Sequence, residues 1–179
     1  HAANATWNGS VDANWATTGN WSASPVPGIT DTATFNNAGN GRTTISLGSG
    51  APIKNIVFDT ANAAAYTIGA GTVGSETLFM DGSGVFTVNA TVTHSETFNA
   101  LLSVSAVNGD RTLGFTNNSV TPGQSLNFAA GMTTPVTGTK TISINGSGNT
   151  SISGAITNGT GVLALTKNGT GTLSLSGGG

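Results

Sequence analysis

The sequence NGTGVLALT at residues 158–166 is followed, after Lys167, by NGTGTLSLS at residues 168–176, so one phrase occurs twice with a step of ten residues (168 − 158). A looser copy, NGSGNTSIS, occupies residues 145–153. Asn-Gly pairs tolerate positive φ angles and bend the chain. The alternating segments after them place aliphatic side chains on one strand face and hydroxyls on the other. Turns and short strands in repeating order are typical of an array in which each β unit stacks on the previous one.

The remainder of the chain, from about residue 32, is a string of short β-prone runs. The predicted runs are 33–35, 43–47, 53–58, 66–68, 77–80, 85–92, 101–107, 112–116, 126–128, 139–145, 150–157, 162–166 and 172–176. No apolar pattern of helical period extends over more than two turns, so we expect an all-β protein.

A longer period favours stacked coils. Residues 56–59 (IVFD) resemble residues 78–81 (LFMD), a step of 22 (81 − 59), and residues 66–68 resemble residues 86–88, a step of 20 (88 − 68). These steps predict a β-helix, or β-solenoid, with one coil per step and internal ladders of aliphatic side chains. A β-sandwich joined by Asn-Gly hairpins is the alternative.

The composition excludes several function classes. Only 7% of the 179 residues are charged, the formal net charge is −2, and the five basic residues are isolated from one another, so we expect no nucleic-acid partner. No apolar run reaches the roughly 18 residues of a transmembrane helix. The absence of cysteine excludes disulfides and thiolate sites. A Thr/Asn/Gly-rich, Lys-poor chain is typical of bacterial surface β proteins, so we expect an extracellular or cell-surface location.

The chain is expected to form one structural domain with a distinct beginning. Residues 1–35 contain all three tryptophans and the Pro-rich segment 25–28, and are predicted to be an N-terminal cap or a segment donated to a neighbour. Residues 36–179 are predicted to form the coils, with the most regular repeats at 145–177. The start at His1 suggests a processed or trimmed chain.

Residues 163–177 (LALTKNGTGTLSLSG) resemble the passenger-associated β-strand repeat of bacterial autotransporters. The opening, with TWNG at 6–9, NW at 14–15 and 20–21, Pro27 and DTATF at 31–35, is similar to the start of large repeat-rich surface proteins that carry this element. The resemblance implies a right-handed parallel β-helix displayed outside the cell, with a structural or adhesive role and no catalysis. Family members commonly continue for many coils into a membrane barrel or sorting signal, and this sequence contains neither, which suggests a fragment or a small separate subunit.

The candidate interaction residues lie at the two ends of the predicted solenoid. Trp7, Trp15 and Trp21 either cover the N-terminal end of the coils or form an aromatic platform for sugar rings. Near the C-terminus, alternating aliphatic residues form a strand edge that invites another chain to add to it. The predicted assembly edge consists of Leu163, Leu165, Leu173 and Leu175.

The titratable residues suggest neither an enzyme nor a cofactor. A terminal His1 with His94 could chelate copper, but no other part of the chain resembles a copper enzyme. We interpret His94 and Glu96 as solvated residues near a turn. Asp59 and Asp81, equivalent by the 22-residue step, are interpreted as corner residues that accept backbone hydrogen bonds rather than as a shared cation site. We therefore expect no catalytic, cofactor-binding or metal-binding residues.

Together these observations predict a non-enzymatic extracellular structural protein. Identical subunits would associate head-to-tail through exposed β edges, giving a surface fibre or layer. The alternative is an adhesin or glycan-binding passenger fragment that contacts glycans or a host or cell surface through its aromatic residues.

Overall fold

The computed structural model describes residues 3–178 and shows a parallel β-solenoid of about seven turns. The chain visits three sheets in a repeating order, so the cross-section has three sides. All strand pairings among the described residues are parallel, apart from an isolated antiparallel bridge between Trp7 and Trp21. Stacked parallel strands confirm the predicted all-β solenoid and exclude the sandwich, whose neighbouring strands would run antiparallel.

The strands are short and are distributed over sheets of seven, six and five strands. The first sheet contains β1 (Ala5–Thr6), β2 (Thr32–Phe35), β5 (Asn55–Phe58), β8 (Val85–Val88), β11 (Arg111–Asn117), β14 (Thr139–Asn145) and β17 (Val162–Lys167). The second contains β3 (Thr44–Ile45), β6 (Thr67–Ile68), β9 (Glu96–Phe98), β12 (Ser125–Phe128), β15 (Asn149–Ile152) and β18 (Leu173–Leu175). The third contains β4 (Ala51–Ile53), β7 (Thr77–Met80), β10 (Leu101–Val104), β13 (Met132–Thr133) and β16 (Ile156–Thr157). Two 3-10 turns lie at Thr18–Asn20 and Gly39–Gly41.

The coils are longer and less equal than the sequence steps suggest. In the first sheet Phe35 pairs with Phe58, Phe58 with Val88 and Val88 with Asn117, which gives coils of 23, 30 and 29 residues (58 − 35, 88 − 58, 117 − 88). The predicted steps of 22 and 20 are wrong. The strand within residues 56–59 lies in the first sheet, but the strand within the similar residues 78–81 lies in the third. In the same way, the strand within residues 66–68 lies in the second sheet, and residues 86–88 lie in the first. On every side of the solenoid, inward apolar residues alternate with outward polar residues. Strands from different sides therefore have similar sequences even though they are not stacked on each other.

The repeated segments 158–166 and 168–176 are not two stacked coils, as the sequence suggested. The ten-residue step joins β17 and β18, which are neighbouring sides of a single coil. The true stacking is between the NGSG segment at 145–148 and the NGTG segment at 168–171, because Gly169 lies against Gly146 and Gly171 against Gly148. At Gly146 the φ angle is +92°, and an added Cβ would collide with the Asn117 carbonyl of the preceding coil. Glycine at this corner is therefore required by both conformation and close approach.

Inward side chains form continuous ladders along the solenoid axis. One ladder of the second sheet consists of Ile45, Ile68, Phe98, Phe128, Ile152 and Leu175. Within it the Phe98 and Phe128 rings stack with centroids 5.0 Å apart, and in the first sheet Phe86 stacks on Phe115 at 5.5 Å. Each coil thus covers the apolar face of the previous one, and only the two ends of the ladders require something else to cover them.

Candidate functional site

The N-terminal end of the ladders is covered by an aromatic cap, which we define as residues 3–31. Trp7, Trp15 and Trp21 are 0%, 2% and 5% exposed and surround the first core phenylalanine, Phe35. Trp21 meets Trp7 and Trp15 edge-to-face, with centroids 5.1 and 4.8 Å apart. These burials place the indoles in the core, so no broad ring face is presented to a sugar.

The indole nitrogens find their partners inside the protein. Trp7 Nε1 donates to the Arg42 carbonyl at 3.0 Å, and Trp21 Nε1 donates to the Trp15 carbonyl at 2.8 Å. Trp15 Nε1 makes a longer contact, 3.4 Å, with the Pro27 carbonyl. A buried indole needs such a partner, and these bonds orient the rings over the first coil.

A polar cluster holds the cap loop in shape. The Asp12 carboxylate accepts the Asn14 backbone N–H at 2.8 Å, the Asn20 amide at 2.7 Å and the Thr17 hydroxyl at 3.0 Å. The bond from Asn14, followed by that from Asn20, lowers the pKa of Asp12 to about 2. A carboxylate whose folded pKa is lowered stabilises the fold above its ordinary pKa, and this contribution is lost as the pH falls toward 2.

The cap also occupies two of the three strand edges at the N-terminal end. In the first sheet the Ser22 N–H donates to the Thr6 carbonyl at 2.9 Å, on the free side of β1. In the second, the Ser46 N–H donates to the Ala13 carbonyl and the Trp15 N–H to the Ser46 carbonyl, both at 2.9 Å. The cap segment 13–15 therefore acts as an additional strand beside β3.

The third N-terminal edge is blocked by a proline. Strand β4 is the last strand of its sheet, and its exposed central residue is Pro52, which has no N–H to offer. Natural proteins use proline in this way to prevent edge-to-edge pairing. The cap thus pairs two of the three N-terminal edges, and the third lacks a donor at Pro52.

The C-terminal end is open. Strands β16, β17 and β18 are the outermost strands of their sheets, and we call these three strands together the open edge. Every predicted assembly residue lies on it. Leu163, Leu165 and Leu173 are partly buried against the core, and Leu175 is 54% exposed.

The exposure of these leucines follows from their position in the ladders. Leu165 is stacked on Ile142, and Leu175 is the last member of the ladder that begins at Ile45. Both point inward in the same way as their buried predecessors, but no further coil of the described chain covers them. Lys167 occupies the next inward position of β17, paired with Ile144, and is exposed at the same end. An uncovered apolar core cross-section beside unpaired strand edges is the chief candidate interaction site of the described chain.

The interpretation of Glu96 as solvated is wrong. Its side chain is fully buried, with Oε2 accepting the Tyr66 N–H at 2.8 Å and Oε1 without a protein partner. Burial raises the pKa of Glu96 to about 9, so the residue is protonated at neutral pH. Burial, together with the nearby Glu96, also raises the pKa of Tyr66, whose hydroxyl donates to the Asn37 carbonyl at 2.7 Å.

Replacing Glu96 by glutamine is expected to stabilise the protein at pH 7 and to change little at pH 4. The folded pKa lies above the ordinary value of 4.5, so the wild-type stability is full below pH 4.5 and declines as the pH rises toward 9. From pH 4.5 to 7 the decline amounts to roughly 3 kcal/mol (2.5 pKa units at 1.36 kcal/mol each). Urea unfolding followed by circular dichroism at several pH values measures the difference.

Glu76→Gln is the matched control for that experiment. Burial opposes ionisation of Glu76, but bonds from the Leu47, Ala70 and Gly48 N–H groups and the Ser46 hydroxyl lower its pKa. The E76Q substitution should therefore destabilise the protein at pH 7, with a smaller cost at low pH. A wild-type stability that rises between pH 5 and 8, or an E96Q variant weaker than wild type at pH 7, would contradict the assignment of a protonated Glu96.

His94, Asp59 and Asp81 do not come together in a common site. His94 is exposed, with Nδ1 3.0 Å from the Ala63 carbonyl, and His1 lies outside the described residues. Asp59 and Asp81 follow strands of different sheets, so they are not stacked as the 22-residue step suggested. Asp59 accepts hydrogen bonds from the Thr60 N–H and from Asn89 of the next coil, both at 2.9 Å.

Lys140 is the one buried lysine of the described chain, and the sequence analysis did not single it out. Its Nζ donates to the carbonyls of Gly109 and Thr137 at 2.5 and 2.7 Å, so it ties two successive corners together. Its position inward on β14 follows from the strict alternation of that strand.

Among residues 3–178 no three His, Cys, Asp or Glu side chains approach closely enough to hold a metal ion. The same residues include no helix with the length and hydropathy needed to cross a bilayer. Comparison of the chain with protein-family models, with curated proteins and with solved structures found no match.

Proposed function

We propose that this chain is a non-enzymatic structural protein of the cell exterior, and that copies of it associate through the open edge. The observation that carries the proposal is the contrast between its two ends. At the N-terminal end, three tryptophans and a polar cluster cover the core, and Pro52 removes a donor from the third edge. At the C-terminal end of the described chain, strands are unpaired and leucines are uncovered. Among the described residues, unpaired strand edges beside exposed apolar side chains are the kind of surface through which β proteins associate.

The low charge of the chain supports the same proposal. The formal net charge is −2, and Lys167 is the only charged residue between positions 155 and 178. Its Nζ donates to the carbonyl of Gly169 in its own chain. Lys167 of β17, which pairs with Ile144, is thus the one charged residue of the open edge, and the low net charge limits the repulsion between copies as a whole.

The extracellular location rests on the Thr/Asn/Gly-rich composition and on the resemblance of residues 163–177 to autotransporter passenger repeats. Head-to-tail growth into a fibre, as anticipated from the sequence, remains a prediction. It would require the open edge to dock on the closed N-terminal end. Glycan binding by the tryptophans receives no support from their burial.

The test is the size of the purified 179-residue chain as a function of its concentration. Multi-angle light scattering and negative-stain electron microscopy should show a mass that rises with concentration, and the rise should be insensitive to moderate salt because few charges are involved. A chain that remains monomeric into the high micromolar range would overturn the proposal.

A further inference from the structure

We propose that a polar recess on the side of the solenoid binds a neutral sugar residue. The recess lies at the corner between the first and second sheets and is lined by residues 119–124 and 147–149. Its volume is about 310 Å³, at the lower end of the range of about 300–1,000 Å³ for ligand pockets. This inference goes beyond the proposed function, because none of the lining residues belongs to the open edge.

The recess exists because successive corners differ in length. Seven residues, 118–124, join β11 to β12, whereas only three, 146–148, join β14 to β15 in the next coil. The longer loop stacks on the corner before it, since the Val120 N–H donates to the Ala90 carbonyl at 3.2 Å. The shorter corner does not reach across the other side of this loop, and a step is left in the surface.

The step lies inside the stack, with a coil on either side. Residues 168–172, which join β17 to β18, stack on the short corner, with Gly169 against Gly146 and Gly171 against Gly148. They do not line the recess. The recess therefore results from the lengths of two internal corners and not from the last coil of the described chain.

Buried polar side chains hold the two walls of the recess together. Asn117, just before the longer loop, donates from Nδ2 to Gln124 Oε1 at 2.8 Å and to the Asn149 carbonyl at 2.6 Å. Gln124 Nε2 in turn donates to the His94 carbonyl at 3.1 Å, and both Asn117 and Gln124 are buried. A site whose walls are already ordered loses little conformational freedom when a ligand binds.

The surface of the recess offers hydroxyl, amide and aliphatic groups. On one wall Ser147 and Asn149 are exposed, and Asn149 Oδ1 accepts the Thr172 N–H at 3.2 Å, which leaves the NH₂ group of this amide as a double donor. The other wall contains the Thr121 hydroxyl and Val120, which is 75% exposed. A sugar ring presents hydroxyls along its edge and C–H groups on its faces, so it can meet both kinds of group.

The lining disfavours other classes of small ligand. None of its nine residues is charged, so a phosphate or carboxylate would find no cation, and an amine or a metal ion would find no carboxylate. A purely apolar ligand would remove water from the hydroxyl and amide groups without replacing their hydrogen bonds. A neutral compound with several hydroxyls matches this lining, and the volume suits a single ring.

The sheet face beside the recess can carry the next residues of a longer glycan. Asn149 begins β15, and on the outer face of this second sheet Thr97, Asn127 and Ser151 pair in succession across β9, β12 and β15. These side chains are polar and uncharged, like the lining of the recess. We therefore expect an oligosaccharide to bind more tightly than the single sugar from which it is built.

Saturation-transfer difference NMR on the 179-residue chain tests the site, because this method observes the ligand and works whether or not copies of the protein associate. The probes are glucose, galactose, mannose and N-acetylglucosamine, with glucose 6-phosphate and inorganic phosphate as charged comparisons. At least one neutral sugar should bind with a Kd on the order of 1–10 mM, as expected for a ligand with few atoms. The charged probes should bind no more tightly than glucose.

Two substitutions locate the binding, and each has a matched control. Ser147→Gln places a longer side chain in the recess and should weaken binding roughly 10-fold or more. Ser83→Gln is its control, since Ser83 is an exposed serine at a corner between the third and first sheets. Val120→Ala should weaken binding about 3-fold through the lost apolar contact. Val73→Ala is its control, at a valine that is 55% exposed.

The outcomes are distinct. Binding that falls in S147Q and V120A, and not in their controls, supports the sugar site. The proposal is overturned if no neutral sugar gives a signal up to about 100 mM, far above the expected Kd, or if variants and controls bind equally. Tighter binding of a phosphate probe that S147Q abolishes would reveal an anion site and would also overturn it. Light scattering measures association separately, so failure here leaves the proposed function standing. Circular dichroism verifies that each variant is folded.

Discussion

Replacing Trp7 by alanine is expected to lower the free energy of unfolding by about 3–5 kcal/mol, the usual cost of deleting a fully buried large aromatic side chain. The ring is 0% exposed, contacts Trp21 and Phe35, and donates to the Arg42 carbonyl. Its loss removes these contacts and exposes the first coil, whose neighbour on that side is the cap. Urea unfolding followed by tryptophan fluorescence and circular dichroism measures the change.

Val11→Ala is the control for that experiment, because Val11 lies in the same cap and is 56% exposed. We expect its effect to remain within about 0.5 kcal/mol, as for most exposed substitutions. A W7A variant with wild-type stability would mean that the cap does not cover the core in solution.

Introducing two lysines on the open edge, as Leu173→Lys with Leu175→Lys, is expected to weaken self-association roughly 100-fold or more, because an unpaired ammonium group buried in a contact costs several kcal/mol. Both side chains point toward the uncovered core, Leu175 being 54% exposed. The coils before residue 150 should remain folded, since each coil depends mainly on its immediate neighbours. Light scattering measures the association, and circular dichroism reports the fold.

A second double variant separates the position of the charge from its amount. Val73→Lys with Val120→Lys adds the same two charges at sites that are 55% and 75% exposed and lie away from the open edge. Both variants change the formal net charge from −2 to 0 (−2 + 2). If the two variants associate equally, or if the edge variant associates like the wild type, the open edge is not the contact surface.

The fold was predictable because alternation and turn signals are local. The segments at 162–166 and 172–176 alternate so regularly that their strands and inward leucines follow directly from the sequence. The order in which the strands stack was harder to predict from the sequence. It depends on the length of corner segments, and two sides of one coil look as similar to each other as two successive coils.

Three strands were missed for related reasons. β1 and β13 have two residues each, which is too short for a periodic signal, and they exist because a neighbouring coil pairs with them. β9 contains Glu96, which sequence reasoning assigned to solvent. The signal that could have corrected this is the period of two: if Phe98 points inward, Glu96 must do so as well.

The candidate site was predictable in its residues and not in its setting. The leucines of the open edge and the three tryptophans are conspicuous in the sequence. That the tryptophans are fully covered depends on contacts with Arg42 and Phe35, which are distant in sequence. The closing of β1 and β3 by cap backbone is likewise a long-range effect that no local pattern reports.

The cap and the open edge make the two ends of the described solenoid unequal in local stability. In a one-dimensional array each unit is stabilised by the neighbour on either side, so a terminal unit with only one neighbour is the first to fray. Within residues 3–178 the N-terminal unit is anchored by the tryptophans, and no comparable group of buried aromatic residues lies over the coil of β17 and β18. For residues 3–178 alone, we therefore expect the coil of β17 and β18 to open at a lower free energy than the coil beneath the cap.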